Sequence, residues 1–279
     1  MTLPNFLIIG AQKSGTTWLG HMLRQHPDVF MPEQEVHFFD KENRFAKGIT
    51  WYERHFDCVK NETAIGEKTP DYYWANGKGV EGHLPNVHLN IYNTLPNIKL
   101  IIVLRNPVER AISAVNHIVR SGRISPFEKI DGLLFGYKQY LIQGHGVIDY
   151  GKYYSKIMAY LEYFEINQLL ILIFEDDIIK NPSEGLIKVC NFLNIDCSFH
   201  FFSLKKKQNA SKSSWMQLFL NYYLPYTRRI TGFANLLFPL YKPRPNEHNM
   251  KKLYEIYKDE NEKLYNFLGH RISSWESTF

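Results

Sequence analysis

Phe6-Leu7-Ile8-Ile9 is a wholly apolar run closed by Gly10. An unbroken run of this length is the pattern of a strand covered on both faces, as in a parallel sheet. From Thr16 the period changes, and Trp18, Leu19, Met22 and Leu23 recur at the three-to-four spacing of a helix. A second strand-to-helix unit is predicted at 99–104, with Asn106 as N-cap, Pro107 at the first helical position, a helix over 108–119 and Gly122 as its stop. A third begins with the apolar run 169–174, after which Asn181-Pro182 opens a helix through Leu186, Val189 and Leu193. Between them lie a further strand at 63–67 and a long helical region over 127–164, interrupted near Gly144, Gly146 and Gly151. A last helix runs from about 248 to 268, with Gly269 as its stop. Alternating strands and helices imply a parallel sheet with right-handed crossovers. The expected fold class is α/β: one three-layer domain over 1–279, with a central, mostly parallel sheet flanked by helices.

Residues 213–243 break this rhythm, being rich in Trp, Tyr, Phe and Leu. Three uses are open: a lid over an acceptor, an apolar helical hairpin packed on the sheet, or a membrane-surface or dimer contact. Lys and Arg exceed Asp and Glu by 33 to 28, a net charge of +5. That balance suits a small anionic ligand and is too mild and dispersed for nucleic acid. No long basic stripe is visible, which argues against a heparin-like polymer as acceptor. The three cysteines, Cys58, Cys190 and Cys197, form no CxxC pair, and no histidine cluster has zinc-ligand spacing. The opening five residues lead straight into an apolar run too short for a signal peptide or a span, so a cytoplasmic protein without stable membrane insertion is expected.

The candidate chemistry begins at residues 10–18, Gly-Ala-Gln-Lys-Ser-Gly-Thr-Thr-Trp. Joining a strand to a helix, this loop brings backbone N–H groups and the positive helix end together where an anion can sit. It is not a Walker A loop, because Gly15 is followed by Thr16 and the lysine lies earlier, at Lys13. Nor does the strand at 99–104 end in the Asp that holds Mg²⁺ in nucleoside-triphosphate enzymes; it ends in Arg105. A guanidinium there favours a doubly charged anion over a metal, and Ser113, about two turns on, offers a hydroxyl.

Lys13-Ser14-Gly15-Thr16-Thr17-Trp18, taken with Arg105 and Ser113, resembles the signature by which the sulfotransferase superfamily binds 3'-phosphoadenosine-5'-phosphosulfate (PAPS). The likeness continues through Glu67-Lys68-Thr69-Pro70, Gly151 with Tyr153, and the run from Asp259 to Trp275, and so covers nearly the whole chain. It implies a P-loop-like fold, PAPS as donor, 3'-phosphoadenosine-5'-phosphate (PAP) as product, and no metal. By the same resemblance, Lys13 to Thr17 hold the 5'-phosphosulfate, and Arg105 with Ser113 hold the 3'-phosphate. Trp18 either lies against adenine or belongs to the core. Lys212, in Asn209-Ala210-Ser211-Lys212, falls where the family closes a basic loop over the nucleotide.

Sulfuryl transfer needs a proton acceptor, a cation at the departing phosphate and close positioning. Lys13 suits the leaving-group role, and the resemblance adds Lys68. Residues 33–40, Glu-Gln-Glu-Val-His-Phe-Phe-Asp, look like the Glu-x-His-Phe-Phe stretch of the carbohydrate O-sulfotransferase branch, which implies Glu35 as the base. His37, if the stretch is extended, points to the same side. It either orients the acceptor or is itself the base, as in the branch acting on small molecules. Asp40 either binds acceptor, positions a lysine or merely forms a turn. Without the resemblance, these carboxylates read as solvated loop residues and His37 as structural. The implied acceptor is a hydroxyl or amine of a carbohydrate or small natural product, with a polar alkaloid or amine as the alternative. A P-loop kinase of a small metabolite and a module that binds the nucleotide without turnover are the rival readings.

Overall fold

The computed structural model describes residues 2–74, 82–204, 213–227 and 231–276; Lys212 lies outside them. Five strands, β1 (Phe6–Gly10), β2 (Val29–Phe30), β3 (Ala64–Lys68), β4 (Lys99–Leu104) and β5 (Leu169–Ile173), form one sheet in the order β2-β3-β1-β4-β5. Every pairing is parallel. The described helices of eight residues or more are α1 (Thr16–Leu23), α2 (Val87–Thr94), α3 (Pro107–Arg120), α4 (Tyr153–Leu161), α5 (Pro182–Leu193), α6 (Trp215–Tyr223) and α7 (Glu247–Leu268).

All of β1 and all of β4 except Lys99 are buried, which is why both read as unbroken apolar runs. The register sets Ile8 opposite Lys68 on one side and Ile101 on the other. The carboxyl ends of β3, β1 and β4 therefore open at one edge, the position at which open parallel sheets bind ligands. Gly66 makes this packing possible, since a Cβ there would lie 2.4 Å from the Phe6 ring.

The chain gathers into two compact units. The first comprises Met1–Asn106, Lys152–Gln208 and Glu260–Phe279 and contains the whole sheet. Ile8, Leu19, Met22, Val103, Leu172 and Val189 meet in its core. The second comprises Pro107–Gly151 and Asn209–Asp259, with a core that includes Val108, Ala111, Val115, Leu133, Leu218 and Leu253. Fully buried Arg110 belongs to this unit, where its Nη2 donates to the Val147 carbonyl.

Strand, loop and helix alternate as the apolar periods predict. The region 127–164 divides into short helices at Ile130–Phe135 and Tyr140–Gln143 before α4. No described helix is long and apolar enough to cross a membrane.

Candidate active site

The anion loop is shaped by two left-handed residues, Lys13 at φ 68° and Gly15 at φ 95°. Gly15 is required twice over, because a Cβ would also lie 2.7 Å from the Phe174 ring. Ser14 is fully buried, and among the described residues its Oγ has no hydrogen-bond partner. A buried hydroxyl in that state carries a desolvation cost that an anion seated in the loop would relieve. Arg105 Nη1 donates to the Lys13 carbonyl over 3.1 Å, and its guanidinium lies 5.0 Å from the centre of the Phe174 ring. The strand-end cation is thus tied to the loop itself. Trp18 is buried in the core of the first unit and donates its indole N–H to the Leu204 carbonyl at 3.1 Å. Ser113 is half-buried on α3, in the second unit.

At the same sheet edge stands a cluster of opposite charges. Lys68, the last residue of β3, donates its ammonium to Glu35 Oε1. Its stem runs across α1, where a Cβ on Gly20 would meet Lys68 Cδ at 3.5 Å. The other carboxylate oxygen, Glu35 Oε2, is 3.4 Å from His37 Nε2, and His37 Nδ1 is 2.9 Å from Asp40 Oδ2. Asp40 is fully buried behind the imidazole. Asp71 completes the group, offering an atom within 4.8 Å of those of His37 and Asp40. Gln12 of the anion loop donates to Asp71 Oδ1 at 3.2 Å, which joins loop and cluster.

Burial penalises the Glu35 charge, yet the hydrogen bonds and charges of His37 and Lys68 outweigh it and hold the carboxyl at about 2. Burial likewise opposes charge on His37, but the bonds to Asp40 and Glu35 and the charges of Asp40 and Asp71 raise it to about 10. At neutral pH an imidazolium therefore lies between two carboxylates, donating to Asp40 and paired by charge with Glu35. For Asp71 burial is the leading effect and raises its pKa.

The model of the sulfotransferase domain matches residues 3–218 of this sequence. The chain belongs to the sulfotransferase family. Among its relatives, the sulfotransferase is 27% identical over 274 residues to mouse heparan sulfate glucosamine 3-O-sulfotransferase 5, covering 97% of this chain and 74% of the relative. It is 39% identical over 117 residues to the membrane-associated sulfotransferase kil1 of Dictyostelium discoideum, a match covering 40% of this chain and only 22% of that protein. The crystal structure of a sulfotransferase from Alicyclobacillus acidocaldarius aligns over 99% of both chains with a TM-score of 0.70 at 24% identity, a likeness of fold.

Glu35, His37, Asp40 and Lys68 of this sulfotransferase are brought together, by a route the sequence does not suggest. An extended stretch is expected to put Glu35 and His37 on one side; instead His37 is left-handed, at φ 52°. Its backbone N–H donates to Thr69 Oγ1 at 3.2 Å, and the Thr69 hydroxyl donates to Glu67 Oε2 at 2.8 Å. Fully buried Glu67 also accepts from the Val36 N–H and from the hydroxyls of Tyr52 and Tyr72, at 3.3, 2.9 and 2.7 Å. Tyr72 in turn accepts the Phe38 N–H at 2.8 Å. One carboxylate on β3 thus fixes three successive amides of the Glu35 segment. Glu67, Thr69 and Tyr72 carry no chemical signature of this role beyond the Glu67-Lys68-Thr69-Pro70 string, and Tyr52 carries none.

Proposed function

We propose that this sulfotransferase moves the sulfuryl group of PAPS onto a carbohydrate hydroxyl by metal-free in-line transfer, with Glu35 as the base. The observation that carries the reading is the join of anion loop and acid-base cluster through Gln12 and Asp71. It brings a seat for the phosphosulfate and a proton acceptor to one sheet edge. The fit to PAPS rests on the loop of residues 13–17, whose Ser14 hydroxyl has no partner among the described residues, and on Arg105. Lys13 to Thr17 would hold the 5'-phosphosulfate and Arg105 the 3'-phosphate, a role in which the family resemblance also includes Ser113. When bound, PAPS supplies a sulfuryl group on a good leaving phosphate.

Lys68 and Lys13 serve the leaving oxygens. Lys68 is also paired with Glu35, so a second anion that draws its ammonium away makes Glu35 a stronger base. Glu35, 36% exposed in its side chain, is reachable by a hydroxyl. His37, as an imidazolium, holds Glu35 in place and has no lone pair with which to take the proton, which supports Glu35 over His37 as the base. Asp40 then acts behind His37, holding the imidazolium at its far nitrogen. The carbohydrate acceptor is supported by the names of the relatives aligned over most of this chain.

Calorimetric titration with PAP in EDTA, with ATP as comparison, tests the donor. Tight metal-free binding that ATP does not match supports the reading. Preference for ATP with magnesium would return a kinase to first place.

A further inference from the structure

The second unit displays an unusual surface. Among the described residues, ten of the twenty exposed large hydrophobic side chains fall between Trp215 and Tyr241. Leu236 is 87% exposed, Tyr226 80% and Leu237 71%, and Phe233 and Leu240 are more than half exposed. This exposure does not come from a loose segment. Thr231 and Ala234 are buried, and the Thr231 hydroxyl donates to Asn221 Oδ1 at 2.9 Å. The Ser214 N–H donates to Asn235 Oδ1 at 2.6 Å, and the Tyr241 N–H to the Ser213 carbonyl at 2.8 Å. The turn is pinned from beneath and presents its leucines outward. Beside it on α6, Trp215 stacks on Phe219 at 5.6 Å and Phe219 meets Tyr223 at 4.7 Å, a belt of half-exposed rings.

Charge identifies what covers such a surface. From Asn209 to Asn246 the sequence contains Lys212, Arg228, Arg229, Lys242 and Arg244 and no Asp or Glu. The charge of this stretch, +5, equals that of the entire chain. Arg244 is committed to Glu109, but Lys242 is exposed beside Tyr241. Leucines and aromatic rings among cations, without a carboxylate, match the boundary of an anionic bilayer, where apolar tips enter the acyl region and cations meet headgroups. A sulfated or acidic glycan would use the cations and leave Leu236 and Leu237 idle. A protein partner gives no reason to exclude carboxylates.

We propose that the turn bearing Leu236 and Leu237, with the aromatic face of α6, docks this protein on anionic lipid membranes. The proposal does not depend on the donor or acceptor chosen above. Co-sedimentation of the purified protein with vesicles of phosphatidylcholine alone and of phosphatidylcholine with phosphatidylserine tests it. Binding is expected to the anionic vesicles, to weaken with added salt, and to fall about tenfold or more in Leu236→Ser/Leu237→Ser, since each leucine withdrawn from the acyl boundary loses a substantial transfer energy. Both side chains are exposed, so the melting transition of the variant should match wild type. Leu237→Trp gives a second reading, a blue shift of its emission on adding anionic vesicles. Absence of vesicle binding, undiminished binding by the double variant, no shift in Leu237→Trp, or a vesicle-independent dimer abolished by the double substitution would each overturn the proposal.

Discussion

Glu35 and His37 differ in their demand for a proton because of what stands behind each. Burial opposes charge on both, but His37 and then Lys68 hold the Glu35 carboxyl at about 2, and Asp40 and then Glu35 hold the imidazole at about 10. With Glu35 as base, the pH profile of kcat/KM carries no ascending limb near 6.5, where an ordinary histidine base would show one. A limb there that shifts in His37→Gln would transfer the role to the histidine. Glu35→Gln is expected to lower kcat about 10²- to 10⁴-fold while PAP affinity in calorimetry stays at the wild-type value. The identities of Glu35, His37 and Lys68 were legible in short strings of sequence. Their arrangement was not, because the left-handed turn at His37 is imposed by Thr69, thirty-two residues away in the chain.

Among the elements, β3 and the residues just beyond it do more than complete the sheet. Glu67 gathers Val36, Thr69, Tyr52 and Tyr72, and through them fixes the Glu35 segment. Thr69→Val keeps the shape but removes the bridge between the His37 amide and Glu67. His37 should then leave its place between Glu35 and Asp40, its pKa falling from about 10 towards 6.5 in an NMR titration of the imidazole. A general loss of stability would not move that value, and Thr69→Ser should restore it. An unchanged imidazole titration in Thr69→Val would refute the bridge. In the loop that follows the neighbouring strand β1, Gly15→Ala drives a methyl into Phe174 from a left-handed backbone and should weaken PAP binding, read by the same calorimetry. β1 and β4 were legible because burial on both faces leaves an unbroken apolar run; β5, at the end of the sheet, was legible as well, being as apolar although Leu170 and Ile171 are only half-buried. β2 was not, since two residues, Val29 and Phe30, carry no period.

For the whole molecule, summed charge hides more than it tells. The net +5 concealed the carboxylate-free stretch 209–246, because its cations are dispersed among apolar residues. Stability against pH is where the charge cluster reaches the entire fold. Glu35 falls from an ordinary 4.5 to about 2, so its contribution is complete above 4.5 and disappears as pH drops towards 2. His37 rises from 6.5 to about 10, so its contribution is complete below 6.5 and disappears as pH climbs towards 10. Both are whole only between about 4.5 and 6.5. Burial raises Glu67 and Asp71, so what each contributes is complete below the ordinary carboxylate range and is lost as pH rises from there through its raised value. Thermal melts across pH should therefore place the maximum on the mildly acidic side of neutral, with a decline from pH 7 to 10. His37→Gln removes the imidazolium and should flatten the part of that decline above 6.5, while leaving the acid limb from the other carboxylates. If wild type and His37→Gln decline in parallel between pH 7 and 10, the imidazole is not held charged between Glu35 and Asp40.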